Sequence, residues 1–198
     1  MPGPVACTLA NPEGGDRLLD VGSSLCTQCG LCCTGALHNY AVLEPDEVPF
    51  AHTLGLTVRT EGRPGFSLPC PRLVNSICSI YESRPMVCAR YRCQLLIDVE
   101  AGETEFESAI DKVETAKLLV AQVDAVIPMG VTLPQARERM RIEPSPEAAS
   151  FVRIEDMRLK LAITALSVYL DKYFRNSKEG KILSLEPITD DQANSEMR

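Results

Sequence analysis

A mainly α chain is predicted, in which an irregular cysteine-rich lobe packs on a small helical core. Two observations carry this. Eight of the nine cysteines fall between Cys26 and Cys93, in a proline-containing segment with few sustained periodic runs. After residue 103 the pattern changes to apolar residues at three- and four-residue intervals, the period of an amphipathic helix. At 198 residues and 45% hydrophobic, the chain can bury one core with a small appended lobe. The expected divisions are a flexible leader over 1–20, a cysteine-cluster region over 21–100, a helical region over 101–176 and a flexible acidic tail over 177–198.

Pro2, Pro4, Pro12, Gly14 and Gly15 mark the leader as irregular, with Cys7 a free thiol upon it. A short helix is expected after Leu43-Glu-Pro-Asp-Glu-Val, where Glu44 or Asp46 stands at an N-terminus beside Pro45. A second is expected after Arg84-Pro85, carrying Val87, Cys88 and Tyr91 on one side. Phe106, Ile110, Val113, Ala116, Val120, Val123 and Ile127 then form the stripe of a longer helix, stopped by Pro128-Met-Gly130. Thr132-Leu-Pro-Gln135 reads as a capping box opening a helix through about Arg141. Ser145-Pro146 caps the last helix, whose stripe is Val152, Leu159, Ile163, Leu166, Leu170 and Phe174, with Asn176 to Lys181 ending it. No internal repeat is visible.

The cysteines set the chemistry. Thiolates are strongly donating ligands, and two of them separated by two residues can grip one metal ion or one iron of a cluster. Cys26, Cys29 and Cys32 are spaced C-x2-C-x2-C, with Gly30 permitting a tight backbone turn between the second and third. Such a triple can meet three corners of an iron–sulfur cluster, a remote cysteine supplying the fourth. Cys33 follows at once. Neighbouring side chains of an extended segment point to opposite sides, so the doublet faces two sites, or one site and one free thiol. Downstream, seven residues separate Cys70 from Cys78, nine separate Cys78 from Cys88, and four separate Cys88 from Cys93. No second C-x2-C knuckle of the zinc-ribbon kind occurs there, which favours a 4Fe-4S cluster over zinc. The candidate metal ligands are therefore Cys26, Cys29, Cys32, Cys33, Cys70, Cys78, Cys88 and Cys93. His38 and His52 are the only histidines, and His38 is read as a surface or supporting residue rather than a ligand. Tyr81, Arg84, Arg90 and Tyr91 flank the later cysteines, where their donors can hydrogen-bond sulfur or the rings can fill the core.

A disulfide framework is disfavoured. Met1 to Ala10 has neither a basic nor an apolar signal region, no apolar run reaches membrane-spanning length, and a cytoplasmic chain is expected to keep its thiols reduced. The net charge of −7 and pI near 5.0 argue against nucleic acid as a partner. Arg59, Arg63, Arg72, Arg84, Arg90 and Arg92 gather in the cysteine-rich part, where they would offset the charge of about −2 on a four-thiolate site.

The runs Cys26-Thr-Gln-Cys29-Gly-Leu-Cys32-Cys33, Cys70-Pro-Arg-Leu73, Cys78-Ser-Ile-Tyr81-Glu-Ser-Arg84-Pro85 and Cys88-Ala-Arg90-Tyr91-Arg-Cys93 together resemble the YkgJ-type cysteine-cluster family, with its CxxCxxCC signature, over about residues 23–98. The resemblance implies zinc or iron chelation. In one related branch, the flagellin lysine N-methylases, it implies an iron–sulfur cluster in methyl transfer. No methyl-donor signature and no radical-type C-x3-C-x2-C triple occur here, nor does a glycine-rich phosphate loop or a nucleophilic serine motif. The expected function is a metal-binding protein holding an iron–sulfur cluster or zinc, in a structural or electron-transfer role with a protein or redox partner. The alternative is an iron–sulfur enzyme, an oxidoreductase or a side-chain methylase, with a partly open metal site and one clustered thiol left over. Cys33 and His38 are the residues that distinguish the two.

Overall fold

A computed structural model describes residues 24–59, 61–75, 77–141 and 154–176. The expected leader with Cys7, the Ser145-Pro146 cap, Val152 and the acidic tail lie outside the described residues. The architecture is mixed and mainly helical, with a small sheet. Helix α1 spans residues 24–29, and α2 (Val48–Thr53), α3 (Met86–Arg90), α4 (Gln94–Glu100), α5 (Phe106–Asp124), α6 (Leu133–Arg141) and α7 (Ile154–Tyr173) follow.

The later helices form where the apolar period placed them. In α5, Ala109, Val113, Ala116 and Val123 are buried, and the expected Phe106, Ile110, Val120 and Ile127 pack beside them half-exposed. The Thr132 backbone N–H donates to Gln135 Oε1 at 2.9 Å, and the Gln135 N–H donates to Thr132 Oγ1 at 3.4 Å. These are the two reciprocal bonds of a capping box opening α6. Helix α7 buries Ile163, Leu166 and Leu170, with Phe174 beyond its last turn, and packs along α5. It ends at Tyr173, ahead of the expected Asn176 stop.

Short strands occupy the segment expected to be irregular. Strands β1 (Tyr40–Val42), β2 (Val58–Arg59) and β3 (Gly65–Ser67) form an antiparallel sheet in the order β1-β3-β2. Strands β4 (Leu73–Val74) and β5 (Ile77–Cys78) make a separate hairpin with Leu73 opposite Cys78. The helix expected after Leu43 starts as the 3₁₀ turn Pro45–Glu47 and continues as α2. The one expected after Pro85 is shorter than its stripe: α3 ends at Arg90, Tyr91 is extended, and a new helix, α4, starts beyond Cys93.

Two apolar clusters result. The larger gathers Leu25 and Leu31 with α4, α5, α6 and α7. The smaller gathers Leu43, Ala51, Leu56, Phe66 and Leu68 around the three-stranded sheet. Among the described residues no helix is long and apolar enough to cross a membrane.

Candidate metal centre

Helix α1 puts Cys26 and Cys29 three residues apart, hence on one side of the helix. Gly30, at φ 68°, ends it in the left-handed conformation that glycine takes without a Cβ penalty. A tight turn follows, with Thr34 N–H donating to Gly30 O at 3.0 Å, Gly35 N–H to Cys32 O at 3.3 Å and Ala36 N–H to Leu31 O at 3.2 Å. The doublet is thus wound into a helix-like turn, not extended as the strand argument supposed. Adjacent side chains in such a turn diverge by about 100°, since one turn takes 3.6 residues. Cys32 and Cys33 diverge for that reason.

The later cysteines are brought to the doublet by backbone contacts. Cys70 N–H donates to Cys33 O at 2.8 Å, and Leu73 N–H donates to Cys70 O at 3.1 Å. The β4–β5 hairpin then returns the chain so that Cys78 stands across from Leu73. Helix α3 carries Cys88. Cys93 is the N-cap residue of α4, whose first N–H, that of Gln94, donates to Phe174 O at 2.9 Å. That bond seats Cys93 on the end of α7, beside the main core.

The eight thiols sort into two neighbourhoods. Cys29, Cys32 and Cys93 pack against the larger apolar cluster, and Cys70 and Cys88 against the smaller. The thiols felt by Cys32 are, in order, Cys93, Cys29, Cys33 and Cys26. Those felt by Cys33 are Cys70, Cys78 and Cys88, with Cys29 last, and Cys88 in turn has Cys70 and Cys78 beside it. Burial first, and these neighbours second, push the Cys33 and Cys88 thiols up to about 12 and Cys32 well above its ordinary value. Burial likewise pushes Cys29 up to about 11 and raises Cys26 and Cys70. Several thiols packed together out of water resist ionising unless a cation joins them.

Of the expected arginines, Arg84, Arg92 and Arg72 act on the sulfurs of described cysteines. The Arg84 guanidinium acts on both Cys26 and Cys88, a thiol of each neighbourhood. It lies over the Tyr81 ring, 3.7 Å from the centroid, and donates to the Tyr81 carbonyl. Arg92 stands by Cys26 and pairs with Glu100 at 3.4 Å. Arg72 stands by Cys70 and donates to Leu54 O at 2.5 Å.

Three further polar residues, which the cysteine pattern does not reveal, fix the frame. Arg137 of α6 is buried and donates to Ala36 O at 2.7 Å, to Asn39 Oδ1 at 2.7 Å and to the Gly35 carbonyl. Arg175, also buried, donates to Ala36 O at 3.2 Å and is held by Asp171 at 2.5 Å. Together they clamp the loop leaving the doublet. Glu47 accepts from Met86 N–H at 2.6 Å through Oε1 and from Glu44 N–H at 3.2 Å through Oε2, tying α3 to the 3₁₀ turn ahead of α2. Signals for these were faint: an arginine in the inward half of a short helix, and an acid near a helix start. His38 is half-buried, edge-on to Tyr91 at 4.7 Å between centroids, with Nε2 unbonded among the described residues. Burial, then Arg175 and Arg137, bring its pKa down to about 4, which keeps the ring neutral.

The donor set fits a thiolate-bound metal in kind and number. All eight cysteines are unbridged, and those of the doublet neighbour the later ones. The side chains do not already close on a point, since among the described residues no three His, Cys, Asp or Glu groups stand at single-ion geometry. What the fold supplies is the grouping. Residues 25–114 match the CxxCxxCC family, described as a "putative zinc- or iron-chelating domain", a span that takes in all eight cysteines, α4 and the first half of α5. No curated protein and no solved structure matches the chain.

Proposed function

We propose that the chain, whose residues 25–114 match the CxxCxxCC family model, is a cytoplasmic metal-binding protein holding an iron–sulfur cluster or zinc through Cys26, Cys29, Cys32, Cys33, Cys70, Cys78, Cys88 and Cys93. The supporting observation is that unbridged cysteines from two distant stretches neighbour one another, joined at the backbone by the Cys70 N–H to Cys33 O bond. The C-x2-C-x2-C triple with Cys93 beside it suits a 4Fe-4S cluster, in which the fourth thiolate comes from elsewhere in the chain. A cluster held there supplies one-electron chemistry, and zinc supplies cross-linking of the segments. The role is therefore structural or electron-transferring, with a protein or redox partner and no nucleic acid. The enzyme reading needs a clustered thiol left apart. Cys33, one of the two residues that distinguish the readings, has Cys70, Cys78, Cys88 and Cys29 about it, which favours the binding reading.

Anaerobic purification followed by elemental analysis and a visible spectrum tests this. Iron with sulfide and a broad visible band identifies a cluster, whereas zinc in a colourless sample identifies the other metal. A chain carrying neither refutes the proposal.

A further inference from the structure

We infer that the eight thiols make two separate four-thiolate sites, Cys26, Cys29, Cys32 and Cys93 in one and Cys33, Cys70, Cys78 and Cys88 in the other, sharing only the Cys32–Cys33 peptide. This rests on the metal-binding reading and adds the membership of each site. The division follows the two apolar clusters. Cys29, Cys32 and Cys93 abut the one built by α1, α4, α5, α6 and α7, while Cys70 and Cys88 abut the one around the three-stranded sheet. It also follows the backbone. Cys26 and Cys29 share α1, and Cys93 is fixed by the Gln94 bond to Phe174. Cys33 and Cys70 are joined through N–H and carbonyl, and the hairpin with Leu73 opposite Cys78 springs from Cys70. The turn at 31–35 sends the doublet's side chains apart, so each neighbourhood receives one member. The largest electrostatic neighbours, Cys93 and Cys29 for Cys32 and Cys70, Cys78 and Cys88 for Cys33, fall on the two sides of this division, with weaker influence across the doublet itself. Arg84, which feels a thiol of each set, lies where it offsets the charge of both.

Loss of one thiol in a site therefore releases that site's metal and exposes its three remaining partners, leaving the other four protected. The test is iodoacetamide labelling of the full chain as purified anaerobically, with peptide mass mapping and iron and zinc content measured on the same samples. Cys26→Ser removes an exposed thiol and should label Cys29, Cys32 and Cys93 at least tenfold faster, with half the metal gone. Cys78→Ser, on the hairpin, should label Cys33, Cys70 and Cys88 and leave the first set protected. Labelling that crosses the division, or loss of all metal from either variant, overturns the two-site assignment. Wild-type protein that holds no metal overturns the binding reading as well, so the two failures are told apart.

Discussion

Cys32 and Cys33 are consecutive in the chain, yet their sulfurs face different company. The strongest thiol neighbours of Cys32 are Cys93 and Cys29, and those of Cys33 are Cys70, Cys78 and Cys88. The cause is the tight turn after Gly30, which rotates successive side chains about its axis. Serine at either position should then unload one site only. We expect Cys32→Ser and Cys33→Ser each to keep one loaded site and the double variant none, the additive behaviour of independent sites. Metal content of the three proteins checks this. Equal and complete loss in both single variants contradicts it.

Arg137 links α6 to the loop that leaves the doublet. Its guanidinium satisfies two backbone carbonyls and an amide oxygen inside the protein. Arg137→Met leaves the Gly35 carbonyl without its donor, while Ala36 O keeps Arg175, and should cost about 1–3 kcal/mol, the scale for a buried acceptor left unpaired. Arg137→Lys should recover little, because a single ammonium cannot reproduce the forked donor geometry. Chemical denaturation of the metal-loaded proteins reads the difference. A lysine variant as stable as wild type contradicts the clamp.

Gly35 closes the turn at φ 81°, and a Cβ built there would stand 2.7 Å from Pro134 Cγ at the start of α6. Gly62 has a similar φ of 75° with open space around it. Gly62→Ala should therefore cost about 1 kcal/mol from backbone strain alone. Gly35→Ala should cost about 1–3 kcal/mol more, because the proline must also give way. Melting temperatures of the two variants provide the comparison, and equal losses exclude a packing role for Gly35.

His38 is held neutral by burial and by the two clamp arginines, with its pKa brought from 6.5 to about 4. Between those values the unfolded chain takes up a proton that the native chain refuses. Its contribution to stability is therefore complete above pH 6.5 and is lost as pH falls toward 4. Relative to His38→Gln, wild type should lose about 2 kcal/mol between about pH 7 and about pH 5. The comparison with the variant isolates this residue from acid effects on the thiols. A stability difference that stays constant with pH contradicts the assignment.

Much of the helical part was legible because its period is long. The α5 stripe from Phe106 to Ile127 and the Thr132–Gln135 box each repeat a local rule over enough residues to be read, and both appear in the structure. Strands of two or three residues, such as Val58–Arg59 and Leu73–Val74, show no period. They are set by pairing with distant chain, which no local pattern records. The eight cysteines were legible as a group, and the extended geometry expected at the doublet is replaced by a turn. Which remote thiol lies beside the triple was not legible. Cys93 reaches that place because Gln94 bonds to Phe174, eighty positions along the chain.

The most direct test is native mass spectrometry of the anaerobically purified full-length chain, compared with the same protein denatured in chelator. The account predicts a native mass above that of the polypeptide by a discrete inorganic load, all of which is lost on denaturation. A native mass equal to the bare polypeptide contradicts it.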